Sequence, residues 1–290
     1  MFGDIAKAKL DRNIKNSVYD ILKLVGKKES DKEWNKVAKY WPFEVSYINS
    51  LETDSINQVN QSTPIIKLSY MQETENGEEQ EKFLNCTPEK LIGLVLEFFL
   101  KLTSNKTDGQ NHVRDIILTT PNNYGYLKKQ TMSMACTHHA GLNVKKIIKS
   151  GRSVALAQRF TYPNEYTTSK NVIFFDLGAG YLDVTLVNYE ENFMAIMATA
   201  CDESLGGRLF DIKILEYCVN HFKQQKGIDL FENKKALRRL LTQCEKAKID
   251  LSILNKYEIF VEYIANEEDF SLDFSREKFE YLCKKEFEAC

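Results

Sequence analysis

The sequence predicts an α/β fold in two lobes, and three observations carry that expectation. The first is a strand–helix–strand unit. The apolar run Ile116-Ile117-Leu118-Thr119-Thr120 stops at Pro121, a helical pattern runs on to Gly141, and Val144–Ile148 is strand-like again. The second is a change of grammar after residue 170, where Val172–Asp176, Leu182–Asn188 and Phe193–Ala200 follow one another as strands joined by tight turns, the second turn at Tyr189–Asn192. The third is composition: 290 residues with 43% hydrophobic and 28% charged side chains describe a globular chain whose core needs no disulfide or metal staple.

The elements follow in order. Asp4 to about Val25 reads as helix, because Val18, Ile21, Leu22 and Val25 fall at the spacing of one buried stripe and Gly26 ends it. A short helix with Trp34, Val37, Ala38 and Trp41 stops at Pro42, and extended segments follow at Glu44–Ile48 and Ile65–Met71 around a polar stretch, Leu51–Thr63. Thr87 caps and Pro88 opens an apolar helix that ends near Leu102, ahead of a solvent loop at Ser104–His112. After the strand–helix–strand unit, Gly151–Phe160 reads as helix and the polar segment Thr161–Lys170 as a hinge. These features place one lobe at residues 1–166 and a second at 167–290. In the second, helices run from Gly206-Gly207 to about Gln225 and from Asn233 to Leu251. Tyr257–Ile264 and Phe270–Asp273 make a hairpin, and Ser275 caps a last helix.

Charge and cysteine usage exclude several classes. Thirty-nine basic against 41 acidic residues give a net charge of −2, so no global field recruits nucleic acid or an anionic membrane. The longest apolar stretch, Leu91–Leu100, is too short to span a bilayer and contains Glu97. The charged N-terminal residues lack the apolar segment of a secretory signal. Seven cysteines without a CxxC pair fit a reducing, cytoplasmic compartment. His138-His139 reads as a helix end rather than a metal pair, and Lys234-Lys235 with Arg238-Arg239 as a solvated helix face.

The chemistry-bearing string is VIFFDLGAGYLDV, in which an apolar strand delivers Asp176 to its end, Gly178 and Gly180 tighten the backbone, and Leu182, Val184 and Leu186 restart strand alternation. A Walker loop or dinucleotide fingerprint must lead into a helix, and this turn leads into a strand. The residues instead describe a hairpin whose backbone N–H groups can cradle an anion, beside a carboxylate that can hold a hydrated divalent cation. A plain glycine-rich hairpin with a capping Asp is the alternative reading.

This string, together with FGDIAKAKLDRNIKNSVYDILKLVG, KYWPFEV, HHAGLNVKKII, SLGGRLFD, ENKKALRRLLTQCEKAKIDLS and FSREKFEYLC in that order, resembles the seventy-kilodalton heat-shock chaperones of the DnaK type. PIIKLSYM and ATACDESLGGRLFD are also similar to the family's 110-kDa branch. The resemblance implies an α/β, two-lobed actin-like (ribonuclease H-like) ATPase fold, incomplete here because the matched part begins after the family's first phosphate hairpin and stops before its second adenosine loop. It implies ATP or ADP with magnesium as ligand. Asp176 and Asp183 match the acidic positions near magnesium and the attacking water, with Asp176 on the metal. Gly178, Ala179, Gly180 and Tyr181 match the stretch that wraps the phosphates, although a middle glycine has become Ala179 and a threonine Tyr181. Glu245, Lys248 and Ser252 match nucleoside contacts along one helix stripe, while the arginine that stacks on adenine corresponds to Ile249.

Further departures bear on hydrolysis: an expected lysine aligns with Leu22, an expected carboxylate with Ser150, and the proline after it with Gly151. Leu22 also has a bland reading, as a residue completing an apolar stripe and packing inward. Three classes therefore stay open. The chain is a chaperone-related nucleotide-binding domain with weakened ATP binding and impaired hydrolysis, a degenerate co-chaperone or partner-binding module without ATPase activity, or an inactive truncated product. Unfolded proteins or other chaperones are expected as partners only of a longer form. An open sheet edge beside Ile116–Thr120 is expected to favour self-association.

Overall fold

The strand–turn–strand near the middle of the sequence is present in the computed structural model, which describes residues 1–31, 35–49, 62–73, 79–106, 113–191 and 193–290. The chain divides into two compact units, Met1–Ser153 and Val154–Cys290, each of mixed α/β character with small sheets.

The first unit opens with α1 (Gly3–Ala8), but the continuous helix expected to Val25 is replaced by three 3-10 turns at Leu10–Arg12, Ile14–Asn16 and Ile21–Lys23. Two causes are visible. The Asn16 amide pairs with strand β2 (Ser62–Glu73) as a peptide group would: its Nδ2 donates to Ser69 O at 2.8 Å and its Oδ1 accepts from Ser69 N at 2.8 Å. Asp20 then enters the left-handed region at φ 58°, which no helix interior tolerates. In the tighter turn residues three apart eclipse, so Ile21 and Leu24 share the inward face and Leu22 turns out, 39% exposed, against the inward packing its stripe suggested.

A short α2 (Asn35–Ala38) leads to β1 (Glu44–Asn49), which pairs antiparallel with β2, and β2 in turn with β3 (Glu79–Cys86). Trp34 and most of Leu51–Thr63 and Ser104–His112 lie outside the described residues. Strand β3 is absent from the sequence expectation because only Cys86 of its eight residues is buried, leaving no alternation to read. Leu24, Trp41, Phe43, Ile66, Cys86 and Leu91 form the core beneath this sheet. Helix α3 (Pro88–Lys106) is capped as expected, Thr87 Oγ1 accepting from Lys90 N.

Strand β4 (Asp115–Thr120) and β5 (Asn143–Lys149) are parallel and flank α4 (Tyr126–Met134), which a π turn at Ala135–His139 extends. The strand–helix–strand unit is therefore present. Strand β4 is not buried on both faces, however: Ile117 is exposed, and among the described residues β5 is its only strand neighbour.

In the second unit, helix α5 (Ser150–Thr161), which begins at the end of the first unit, packs Ala155 against Val187 and Tyr189 of an antiparallel meander. The meander comprises β6 (Lys170–Leu177), β7 (Leu182–Glu190) and β8 (Phe193–Asp202) in that spatial order. Tyr189 donates its hydroxyl proton to Ala155 O at 2.7 Å and stacks on Tyr166. The Arg159 guanidinium clasps the β7–β8 turn through the carbonyls of Glu190, Glu191 and Phe193.

Helices α6 (Gly207–Lys226) and α7 (Lys234–Asp250) then pack together, α6 ending at Gly227 with φ 70° and α7 capped by the Asn233 side chain. Strands β9 (Lys256–Ala265) and β10 (Glu268–Ser275) form the expected hairpin, its turn at Asn266 and Glu267 with positive φ. Ser275 Oγ caps α8 (Arg276–Leu282), and α9 (Lys284–Ala289) follows. The basic stretch of α7 is not simply solvated: Arg238 is buried, and Arg239 donates to the carbonyls of Glu262 and Tyr263 on β9.

Candidate functional site

Strands β6 and β7 pair without a register break from Lys170↔Tyr189 to Leu177↔Leu182, and this carries the chain into a tight turn closed by Gly178 N donating to Tyr181 O at 2.9 Å. Asp176 and Asp183 are directly opposed residues of that pair. Asp176 is exposed and Asp183 buried. Like charges directly across an antiparallel pair repel, so the two carboxylates make a place where a cation is favourable. Their oxygen donors suit magnesium, which keeps much of its water and needs few protein ligands. Among the described residues there is no group of three or more His, Cys, Asp or Glu side chains arranged to hold a metal.

The start of α6 holds the turn from behind. Gly207 N donates to Gly178 O at 2.9 Å and Arg208 N to Ala179 O at 2.8 Å, so helix N-terminal donors that would otherwise be orphaned meet the turn's carbonyls. The approach requires Gly206: a Cβ there would lie 2.7 Å from Ala179 O and 2.8 Å from Gly180 N.

Helix α7 reaches the same point through Lys248, whose Nζ donates to Gly207 O at 3.0 Å and pairs with Asp211 Oδ1 at 2.7 Å. Asp211 is a buried carboxylate on α6, and its pKa is raised because burial outweighs the hydrogen bond and charge of Lys248. The structure thus joins the Gly178–Tyr181 turn to Lys248, some seventy positions later in sequence, through a Gly-Gly helix start. Glu245 is half-buried and Ser252 exposed on the same helix, while Ile249 is 58% exposed and offers an aliphatic surface.

Asp211 is the member that sequence reasoning missed. One signal was available, since a double glycine opening a helix without a side-chain cap implies that something approaches its backbone closely.

The other positions singled out in the sequence lie in the first unit. Leu22 projects outward from its 3-10 turn while its carbonyl accepts from the Tyr124 hydroxyl at 3.1 Å. Ser150 opens α5, and its carbonyl accepts from Ser153 Oγ at 2.7 Å. His138 and His139 sit in the π turn that closes the α4 segment.

The fold and this turn describe a mixed α/β protein with a strand–turn–strand cradle braced by a helix start. Comparison with known proteins gives the class a name: the Hsp70 protein family model matches residues 1–290, and the chain belongs to the Hsp70 family. It is 30% identical over 290 residues to the heat shock cognate 70 kDa protein 3 of Dictyostelium discoideum, covering all of this chain and 42% of that protein. It is 32% identical over 289 residues to the heat shock 70 kDa protein 2 of Paracoccidioides lutzii, covering all of this chain and 40% of that one. A ribosome-associated molecular chaperone of Zygosaccharomyces rouxii is 29% identical over 289 residues, with all of this chain and 43% of that protein covered. The chain spans about two fifths of the length of these relatives.

Proposed function

We propose that this chain is a chaperone-related nucleotide-binding domain of actin-like, two-lobed architecture (residues 1–166 and 167–290) that binds ATP or ADP with magnesium weakly and hydrolyses ATP poorly. The observation that carries the reading is the tight Gly178–Tyr181 turn, held by Gly207 and Arg208 amides and flanked by the opposed pair Asp176 and Asp183. Hairpin amides cradle phosphate oxygens, and Asp176 holds the magnesium hydration shell, with Asp183 behind it. Bound magnesium would neutralise phosphate charge; the chain's own contribution is to fix that ion and the phosphates in place.

Hydrolysis is impaired because phosphoryl transfer depends on positioned charge, and Leu22 and Ser150 bring none. Binding is weak because Ile249 cannot stack on a base as a guanidinium does, and because Lys248, expected at the nucleoside, is committed to Asp211 and Gly207. Tyr181 adds bulk where the family has a hydroxyl. The setting we propose is protein folding in the cytoplasm, with unfolded proteins or other chaperones as partners only of a longer form.

Steady-state phosphate release tests the hydrolysis half. We expect release indistinguishable from buffer with magnesium and ATP present. Clear magnesium-dependent turnover that Asp176→Asn abolishes would show a competent catalytic site and overturn the proposal.

A further inference from the structure

Strand β3 is an outer strand of the β1–β2–β3 sheet, and it lies mid-chain between β2 and α3. Its ladder with β2 runs from Ile66↔Cys86 to Glu73↔Glu79 without a register break, and among the described residues no strand pairs with its other side. The far side of β2 is closed by contrast: β1 covers it up to Lys67, and the Asn16 amide takes the next place at Ser69. Seven of the eight residues of β3 are exposed, so a regular row of backbone donors and acceptors is open to a further strand.

The ladder sorts its side chains onto two faces. Ile66 and Cys86 belong to the core, so the even-numbered residues of this ladder lie on the core side and the odd-numbered ones face away. The outward face of β3 carries Glu79 and Glu81 and then Phe83, 55% exposed, whose ring centre lies 4.0 Å from the Lys67 ammonium. On β2, Glu73 stands directly opposite Glu79, and Met71, 56% exposed, stands opposite Glu81. Like charges directly across a pair repel, and among the described residues none of the three glutamates has an ion-pair partner. A cation brought alongside β3 relieves that repulsion.

The same charges reject a second copy of the strand. In a two-fold antiparallel pair of β3 strands, opposed residues share a face, so odd-numbered residues meet only odd-numbered ones. Glu79 and Glu81 then never face Lys82, and every such register either opposes like charges or leaves all three without an opposite charge. The strand they accept is a different one, basic where it passes the glutamates and apolar where it passes Phe83.

We propose that β3 docks an extended segment of another protein as a fourth, antiparallel strand of this sheet, selected by basic side chains on alternate residues facing Glu79 and Glu81 and by an apolar side chain on Phe83. The proposal does not rest on nucleotide binding, and its test is run without nucleotide or magnesium, so the two readings fail separately.

The probe is a fluorescein-labelled, end-capped peptide, Val-Val-Thr-Lys-Thr-Lys. In antiparallel register its valines meet Leu84 and Phe83 and its lysines meet Glu81 and Glu79. Fluorescence anisotropy reads its binding to the whole chain. Saturable binding is expected, about tenfold weaker in the Glu79→Lys, Glu81→Lys double variant, which should instead prefer the peptide Val-Val-Thr-Glu-Thr-Glu. Two versions of the first peptide, methylated on alternate sets of backbone nitrogens, separate strand pairing from charge: the one whose methyl groups point at β3 should lose binding and the other keep it. Circular dichroism confirms that the double variant is folded. No saturable binding at millimolar peptide, equal binding by the double variant, no preference of that variant for the glutamate peptide, or methylated peptides that bind alike overturns the proposal.

Discussion

Lys248 and Asp211 set the terms at the residue scale. A buried carboxylate paired at 2.7 Å is costly to strand, so Lys248→Met should lower the unfolding free energy by about 3 kcal/mol, and adding Asp211→Leu to it should recover much of that. Denaturant melts of the single and double variants check this. The pH dependence has a definite sign. Because Asp211 has a raised pKa in the folded chain, the stability linked to its proton is fully present below the ordinary carboxylate range and falls as pH climbs through that range toward the folded value. An Asp211→Asn variant should lack this fall, which melts between about pH 3.5 and 7 would reveal.

The thiols give a second residue-scale expectation. Burial pushes Cys283 up to about 12 and Cys244 well above its ordinary value, so a thiol reagent added to the native protein should modify only Cys201 and Cys290 promptly, and all seven after denaturation. Helical spacing along α7 made Lys248 legible as a candidate. It could not reveal Asp211, thirty-seven positions earlier, because the contact is made by helix packing and not by local pattern.

At the scale of elements, the junction between the hairpin and α6 depends on one missing side chain. Gly206→Ala places a methyl group against backbone atoms of Ala179 and Gly180 that cannot move aside independently, and should cost about 1–3 kcal/mol while loosening the turn. Gly207→Ala meets the Lys248 Nζ at 3.2 Å and the backbone of Ala179 and Gly178 only at ordinary contact distances of 3.8 and 3.9 Å, and should be milder. Hydrogen exchange at Gly178–Tyr181 separates the two, with faster exchange expected for Gly206→Ala alone. Strands β6 to β10 and helices α6 and α7 could be read from the sequence because each has a buried face, a cap or a tight turn. Residues 10–23 could not: their apolar spacing fits a helix, but the Asn16 bonds to β2 and the left-handed Asp20 are decided by partners far along the chain or by a single backbone angle. Strand β3 hid for the opposite reason, with almost no buried residue to mark it.

On the scale of the whole molecule, family membership and the hairpin pull one way, and Leu22, Ser150, Tyr181 and Ile249, which our proposal reads as substituted positions, pull the other. In the proposed function the two are reconciled if phosphate and magnesium recognition outlasts base stacking and catalysis, with backbone amides and Asp176 serving where the proposal has charged side chains lost. Calorimetric titration of the chain with ADP, with and without magnesium, tests this most directly. The account predicts weak, saturable binding that requires magnesium and is lost in Asp176→Asn. Absence of binding at millimolar ADP, or affinity that is unchanged by removing magnesium or by Asp176→Asn, would contradict it.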